Sequence, residues 1–342
     1  MRMRTTDFSK HLTAYLSQYL PGQRNLSRNT IQSYCDTFRL LLLYCRAAKK
    51  MNIEKLTLNQ LDKPLIEGFL QWLREERHSS LSTVNQRLAV IRAFFDYVQM
   101  EEPQMLFECQ KIKNIPFKKA PKPPVVYLTT DALQTVLSLP DSSTRGGRRD
   151  LTLLSLLYDS AARVQELADL RVKDIRLEAP ACVSLFGKGQ KTRTVPLMKQ
   201  TVSLLEKYIS DEKLDPRSES DTSLFRNRQN HALTRAGISY ILCKYVGVAR
   251  NSISDIPTHV TPHILRHTKA MHLLQAGVNL IYIRDFLGHA DVKTTQVYAT
   301  AEFEVKRKAL EEASSKIQLP VHPSWEQDSN LMDWLTNLCS RH

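Results

Sequence analysis

Apolar positions in the first hundred residues recur at helical spacing. Phe8, Leu12, Tyr15, Leu16 and Tyr19 trace one stripe; Ile31, Tyr34, Phe38, Leu42 and Cys45 trace a second behind a candidate Ser27 cap. A third helix is expected to open near Pro64 with Ile66, Phe69, Leu70 and Leu73 on its apolar face. A fourth, after Ser82, carries Val84, Leu88, Ile91, Phe95 and Val98. Residues three and four apart share a helix face, so these stripes read as core. Four helices of this size predict a compact bundle.

Beyond residue 125 the pattern is mixed. Helical stretches are expected near 130–139, 148–158, 161–170, 199–211 and 234–247, with residues 183–197 reading as two strands around a Gly-rich turn. From residue 261 the pattern is helical again, in short pieces. Between the two parts runs KIKNIPFKKAPKPPVVYL, residues 111–128, whose Pro116, Pro121, Pro123 and Pro124 favour an extended spacer. The expected class is mainly α with a small β-sheet. The expected division is a helical domain over 1–110, a basic linker over 111–126, a mixed α/β domain over 127–318 and a tail over 319–342. In the tail, Leu331, Trp334, Leu335 and Leu338 would share one helix face.

Charge adds a partner class. The 342 residues hold 48 Lys+Arg against 35 Asp+Glu, a net of +13. Residues 1–124 contribute +9 and residues 125–342 contribute +4, so the excess sits in the smaller part. Such a balance favours a polyanion, either nucleic acid or an acidic membrane surface. The polar helix faces with Arg28, Arg39, Arg46, Arg87 and Arg92, and a linker strap with Lys118, Lys119 and Lys122, are the candidate contacts. No apolar run approaches a bilayer span, and the N-terminus has no secretory h-region. The six cysteines (35, 45, 109, 182, 243 and 339) stand singly, which fits a reduced, cytoplasmic setting better than a disulfide frame or zinc cluster.

Two stretches invite cofactor readings and fail them. GKGQKT (187–192) lacks P-loop spacing and lies between strands. His263 and His267 sit four apart, but Ile264 occupies the position where a zinc-protease helix needs Glu, and no third ligand is evident. Thr261 as cap and Pro262 at the first helical position instead place His263 where free N–H groups attract anions, with Arg266 on the same face. A phosphate site explains the stretch better than a metal. No metal or cofactor is expected.

Taken together, several segments resemble the tyrosine recombinase family of phage integrases, Xer-type recombinases and transposon-borne relatives. ARVQEL (162–167) resembles the box around the family's first arginine, and GKGQKTRTVPL (187–197) resembles its lysine hairpin. HILRH (263–267) matches the HxLRH box; LGH (287–289), followed by TTQVYA (294–299), matches the box ending in the nucleophile. The departure is Ala161-Ala162, where the family commonly has Thr-Gly.

The resemblance implies a SAM-like helical core-binding domain joined to a catalytic domain, gripping duplex DNA at inverted half-sites. It implies Tyr298 as nucleophile, Arg163 and Arg266 as phosphate clamps, His263 as proton acceptor, His289 on the phosphate and Lys188 as general acid to the leaving 5′-hydroxyl. Glu166, three residues from Arg163, would orient that arginine. It further implies a homotetramer in which the tail docks on a neighbour and strands exchange through a Holliday junction. The helices start almost at residue 1, so the arm-binding domain of large phage integrases is not expected. A transposon-borne role is the leading expectation. A Xer-type dimer resolvase is the nearest rival, ahead of a type IB topoisomerase and a non-catalytic DNA-binding regulator.

Overall fold

The structure is a computed structural model that describes residues 6–121, 124–187, 192–214, 221–288, 294–298, 333–334 and 336–338. The chain divides into two compact units, Met1–Pro123 and Pro124–His342.

The first unit is helical. Helix α1 (Asp7–Ala14) runs into a π-helical stretch, Tyr15–Gln23, followed by α2 (Arg28–Ala47), α3 (Lys63–Glu75), α4 (Leu81–Glu101) and α5 (Leu106–Lys113). Side chains cap their starts. Ser27 accepts from the Thr30 N–H, Asp62 from Leu65 and Ser80 from Thr83, each such cap being worth about 1 kcal/mol. The predicted stripes close one core that includes Phe38, Leu41, Phe69, Leu88, Ile91 and Phe95.

The expected linker starts later than residue 111. Lys111–Lys113 belong to α5, and Ile112 and Ile115 are buried in the first core. Asn85 of α4 then pairs with the backbone of Lys118, donating to its carbonyl at 2.7 Å and accepting from its N–H at 2.9 Å. The prolines stop the helix, but the apolar residues before them still have a core to enter.

The second unit holds α6 (Thr130–Ser138), α7 (Arg145–Asp159), α8 (Val164–Ala168), α9 (Lys199–Asp211), α10 (Arg235–Ala249), α11 (Pro262–Gln275) and α12 (Leu280–Leu287). An antiparallel sheet orders β1 (Ile175–Arg176), β2 (Cys182–Phe186) and β3 (Thr192–Pro196), with Val183 opposite Val195 and Leu185 opposite Arg193. Val183, Leu185 and Val195 are buried in the same core as Leu154 of α7, Leu205 of α9 and Leu242 of α10. The helix expected over 161–170 is only the short α8, because Ala161 takes a left-handed φ of 46° that breaks the chain direction after α7. An L-residue there costs about 1–2 kcal/mol.

Candidate active site

Arg163 stands at the N-cap of α8 with extended backbone, and Glu166 one turn on folds back to meet it. The Arg163 N–H donates to Glu166 Oε2 at 2.8 Å, and Arg163 Nη1 donates to Oε1 at 2.7 Å. Arg163 Nη2 also reaches the Gly288 carbonyl at 3.4 Å. A second guanidinium shares the carboxylate. Arg193 of β3 donates from Nη1 to Oε1 at 2.9 Å and from Nη2 to Oε2 at 2.7 Å. Burial pulls the Glu166 pKa up, but the Arg193 hydrogen bonds and the Arg163 amide outweigh it, leaving the carboxyl below its ordinary value.

Arg266 lies one turn into α11, 1% exposed. Its Nη1 donates to the Ala161 carbonyl at 2.7 Å and its Nη2 to the Leu287 carbonyl. Both acceptors are backbone groups freed where α7 and α12 end. Burial, with Arg163 and Arg193 close by, pushes the Arg266 pKa down to about 9, so it stays charged at neutral pH. Its position is supported by a second buried pair, Lys269 to Asp159 at 3.2 Å, where Asp159 also accepts from the Met198 N–H.

Two histidines flank this arginine. Thr261 caps α11 by backbone only and Pro262 fills the first position, so His263 sits in the first turn. Partial burial of the His263 ring, then Arg266 and Arg163, lower its pKa. The His267 ring stands edge-on to it, 4.4 Å between centroids. Burial, then His263 and Arg266, push His267 down to about 4, so the ring is neutral at pH 7.

Tyr298 belongs to a short helical piece over 294–298. Its ring packs among Ala161, Ala270, Met271, Ile283 and Leu287 and is 2% exposed. The hydroxyl lies 2.6 Å from His267 Nδ1. Burial raises the Tyr298 pKa, and Arg266 opposes that rise. The expected acceptor His263 is therefore beside the arginines, while His267 meets the hydroxyl.

The fold thus brings Arg163, Glu166, His263, Arg266 and Tyr298 to one place, from α8, α11 and residue 298. Lys188, His289 and Lys122 lie outside the described residues, as do Leu331 and Leu335 of the expected tail stripe. Trp334 and Leu338 are exposed.

The expected DNA-contacting residues separate. Arg28, Lys118 and Lys119 are exposed. Arg87 turns inward, its Nη1 donating to the Ser33 carbonyl at 3.0 Å and to Thr37 Oγ1 at 2.8 Å. Arg92 donates to the Ile115 carbonyl and lies 4.2 Å from the Phe117 ring centroid. Both tie α4 to its neighbours, their guanidiniums reaching backbone carbonyls of α2 and of the segment after α5.

Arg193 and His267 are not among the expected site residues. The signal for Arg193 is its phase: with Val195 it occupies the inward side of β3, where a charge needs a partner. His267 stood in the HILRH box, weighed there only as a metal ligand.

Residues 127–304 match the Phage integrase family, and residues 12–102 match its N-terminal SAM-like domain, described as "Phage integrase, N-terminal SAM-like domain". A putative integrase/recombinase of Sinorhizobium fredii is 33% identical over 96% of this chain and 97% of its own. The tyrosine recombinase XerD of Listeria monocytogenes is 35% identical over 82% of this chain and 90% of its own. In fold, XerH recombinase bound to a palindromic difH substrate is similar at a TM-score of 0.65 with 24% identity, covering 88% of this chain and 83% of its own. The Tn1549 transposon integrase in complex with transposon right end DNA is similar at 0.66 with 18% identity, covering 87% and 97%. The chain belongs to the phage integrase family and is a tyrosine site-specific recombinase.

Proposed function

We propose that the protein breaks and rejoins duplex DNA at paired, inverted half-sites, with Tyr298 as nucleophile, to integrate or excise a mobile element. The observation that supports it best is the convergence of Tyr298, Arg266 and Arg163 in one half-buried cluster. A scissile phosphate held by Arg163 and Arg266 would have its non-bridging oxygens neutralised by paired N–H donors. The Tyr298 oxygen then bonds to phosphorus as the bond from phosphorus to the 5′-oxygen breaks. The phenol proton leaves to a neutral imidazole, and Lys188 protonates the departing 5′-oxygen. His289 would hydrogen-bond the phosphate. One phosphodiester is exchanged for another, so no ATP is required for the energy balance.

At 2% exposure Tyr298 is not open to a duplex. In this reading DNA binding draws the 294–298 helix away from His267 and delivers the hydroxyl to the phosphate. His263, at the solvent edge beside Arg163 and Arg266, then faces the same phosphate.

The mobile-element role draws on the Sinorhizobium fredii integrase/recombinase relative, which matches 96% of the chain. The Xer-type reading draws on the XerD relatives, similar over 82% of it. Four protomers on two sites, with the tail seated on a neighbour, complete the scheme; it works on the DNA of a bacterial cytoplasm.

The test uses nicked duplexes tiled across the DNA flanking the protein's own gene. A nick just downstream of the cleavage point lets the short fragment with the freed 5′-hydroxyl escape and traps the adduct. Wild type is expected to form an SDS-resistant 3′-phosphotyrosyl link and Tyr298→Phe none. An adduct that survives Tyr298→Phe overturns the assignment. Recovery of joined element ends in cells distinguishes the mobile-element role from dimer resolution, which leaves flanking DNA unrearranged.

A further inference from the structure

We infer that Arg193 is a positioning residue for the phosphate clamp: it acts as the dedicated counter-ion of Glu166, so that Arg163 keeps its positive charge for DNA. The inference rests on the reading of Arg163 as a phosphate ligand.

Glu166 is nearly enclosed, with its side chain 3% exposed, and both oxygens are engaged by two arginines. Those arginines are not equivalent. Arg193 is 12% exposed at its side chain and meets the carboxylate with both terminal nitrogens, the fork geometry that suits a buried pair. Arg163 is 36% exposed and meets it with one terminal nitrogen and its own backbone N–H. The inner arginine engages both oxygens of the acid, and the outer one is oriented by it while staying the more exposed of the two.

Charge arithmetic gives the arrangement its purpose. Glu166, Arg163 and Arg266 alone would total one positive charge, and the Arg163–Glu166 pair would be neutral. A phosphodiester brings one negative charge and gains more on its non-bridging oxygens as the phenolate adds. With Arg193 present the cluster carries two positive charges, matching that demand. In a half-buried site such preorganised charge acts on the transition state with little solvent screening.

Arg193 also reaches the other wall of the site. Gly288 ends α12 at φ 64°, and a Cβ there would lie 2.9 Å from Arg193 Cδ. The stem of Arg193 thus packs where Leu287 and Gly288 offer their carbonyls to Arg266 and Arg163. One side chain joins β3, the start of α8 and the end of α12.

The test measures single-turnover cleavage of a nicked duplex carrying either an ordinary scissile phosphodiester or a methylphosphonate, which has the same shape without the charge. Arg193→Gln is expected to slow phosphodiester cleavage by about 100-fold, and most of that loss should vanish on the methylphosphonate. Arg193→Lys, which keeps charge without the fork, should fall between. Glu166→Gln combined with Arg193→Gln should cleave faster than Arg193→Gln alone, because no uncompensated carboxylate remains; this pair also serves if Arg193→Gln folds poorly. Equal losses on both substrates, or a wild-type rate in Arg193→Gln, overturn the inference. If Arg163→Gln also cleaves normally, the reading of the clamp itself fails; if Arg163→Gln is impaired while Arg193→Gln is not, only the role of Arg193 fails.

Discussion

Tyr298 and His267 share a hydrogen bond of 2.6 Å within a pocket that leaves the tyrosine 2% exposed. With the single proton of the neutral ring assigned to Nε2, Nδ1 accepts from the Tyr298 hydroxyl; the other tautomer reverses the bond.

Removing the acceptor strands a buried hydroxyl. His267→Ala should therefore destabilise the catalytic unit by about 1–3 kcal/mol. Tyr298→Phe should cost less, and the double variant should cost clearly less than the two single losses together. Urea unfolding of the full-length variants measures the cycle; strictly additive losses would show that the contact carries no coupling energy.

Stability should fall in acid through His267. Its native pKa of about 4 lies below the ordinary 6.5. Above pH 6.5 the ring is neutral in both states and adds no slope. Between 6.5 and 4 only the unfolded chain takes up the proton, so stability drops, on the order of 3 kcal/mol in all. Below 4 both states are protonated and the slope ends. His263 and His272 are lowered in the same direction and steepen the descent. His267→Gln should flatten the unfolding free energy between pH 7 and 5, and a variant with the wild-type slope would refute the assignment.

Gly288 has two reasons to be glycine. Its φ of 64° ends α12, and Arg193 Cδ occupies the space of a side chain. Gly288→Ala should cost about 1–2 kcal/mol from the backbone alone, and cleavage should fall further than stability because Arg193 must shift. A thermal melt beside the adduct assay checks both, and an intact cleavage rate would show that Arg193 tolerates the displacement.

Arginines of the first unit should divide into two behaviours. Arg87→Met should destabilise that unit by about 1–2 kcal/mol, since it removes two charge-assisted hydrogen bonds and leaves the Ser33 carbonyl and Thr37 hydroxyl only each other. Arg28 is exposed in the first turn of α2, where the helix dipole disfavours a cation. Arg28→Ala should leave stability unchanged or raised while weakening DNA binding and making the salt dependence shallower. Denaturation paired with DNA titrations at several salt concentrations separates the two; a stability loss in Arg28→Ala would reverse the assignment.

Much of the first unit was legible because its signals are local. The stripe Val84, Leu88, Ile91, Phe95, Val98 is buried in α4 as its spacing requires, and Ser27 caps α2. The π-helical stretch at Tyr15–Gln23 was not legible, since apolar period alone does not count hydrogen bonds. Nor was the packing of Ile112 and Ile115, because prolines downstream resembled the start of a free linker.

The site divides along the same line. Residue order determined that Arg163, Glu166, His263, Arg266 and Tyr298 were present in recognisable boxes, and that Arg163 and Glu166 would share a turn, three residues being one turn of helix. Only the tertiary structure decided who pairs with whom. Arg193 meets Glu166 across 27 residues, Tyr298 meets His267 across 31, and Arg266 meets the Ala161 carbonyl across 105. Partners at such separations are chosen by where helix ends leave carbonyls free and where burial forces a charge or hydroxyl to find a mate. That demand is set by packing, and spacing along the chain carries no record of it.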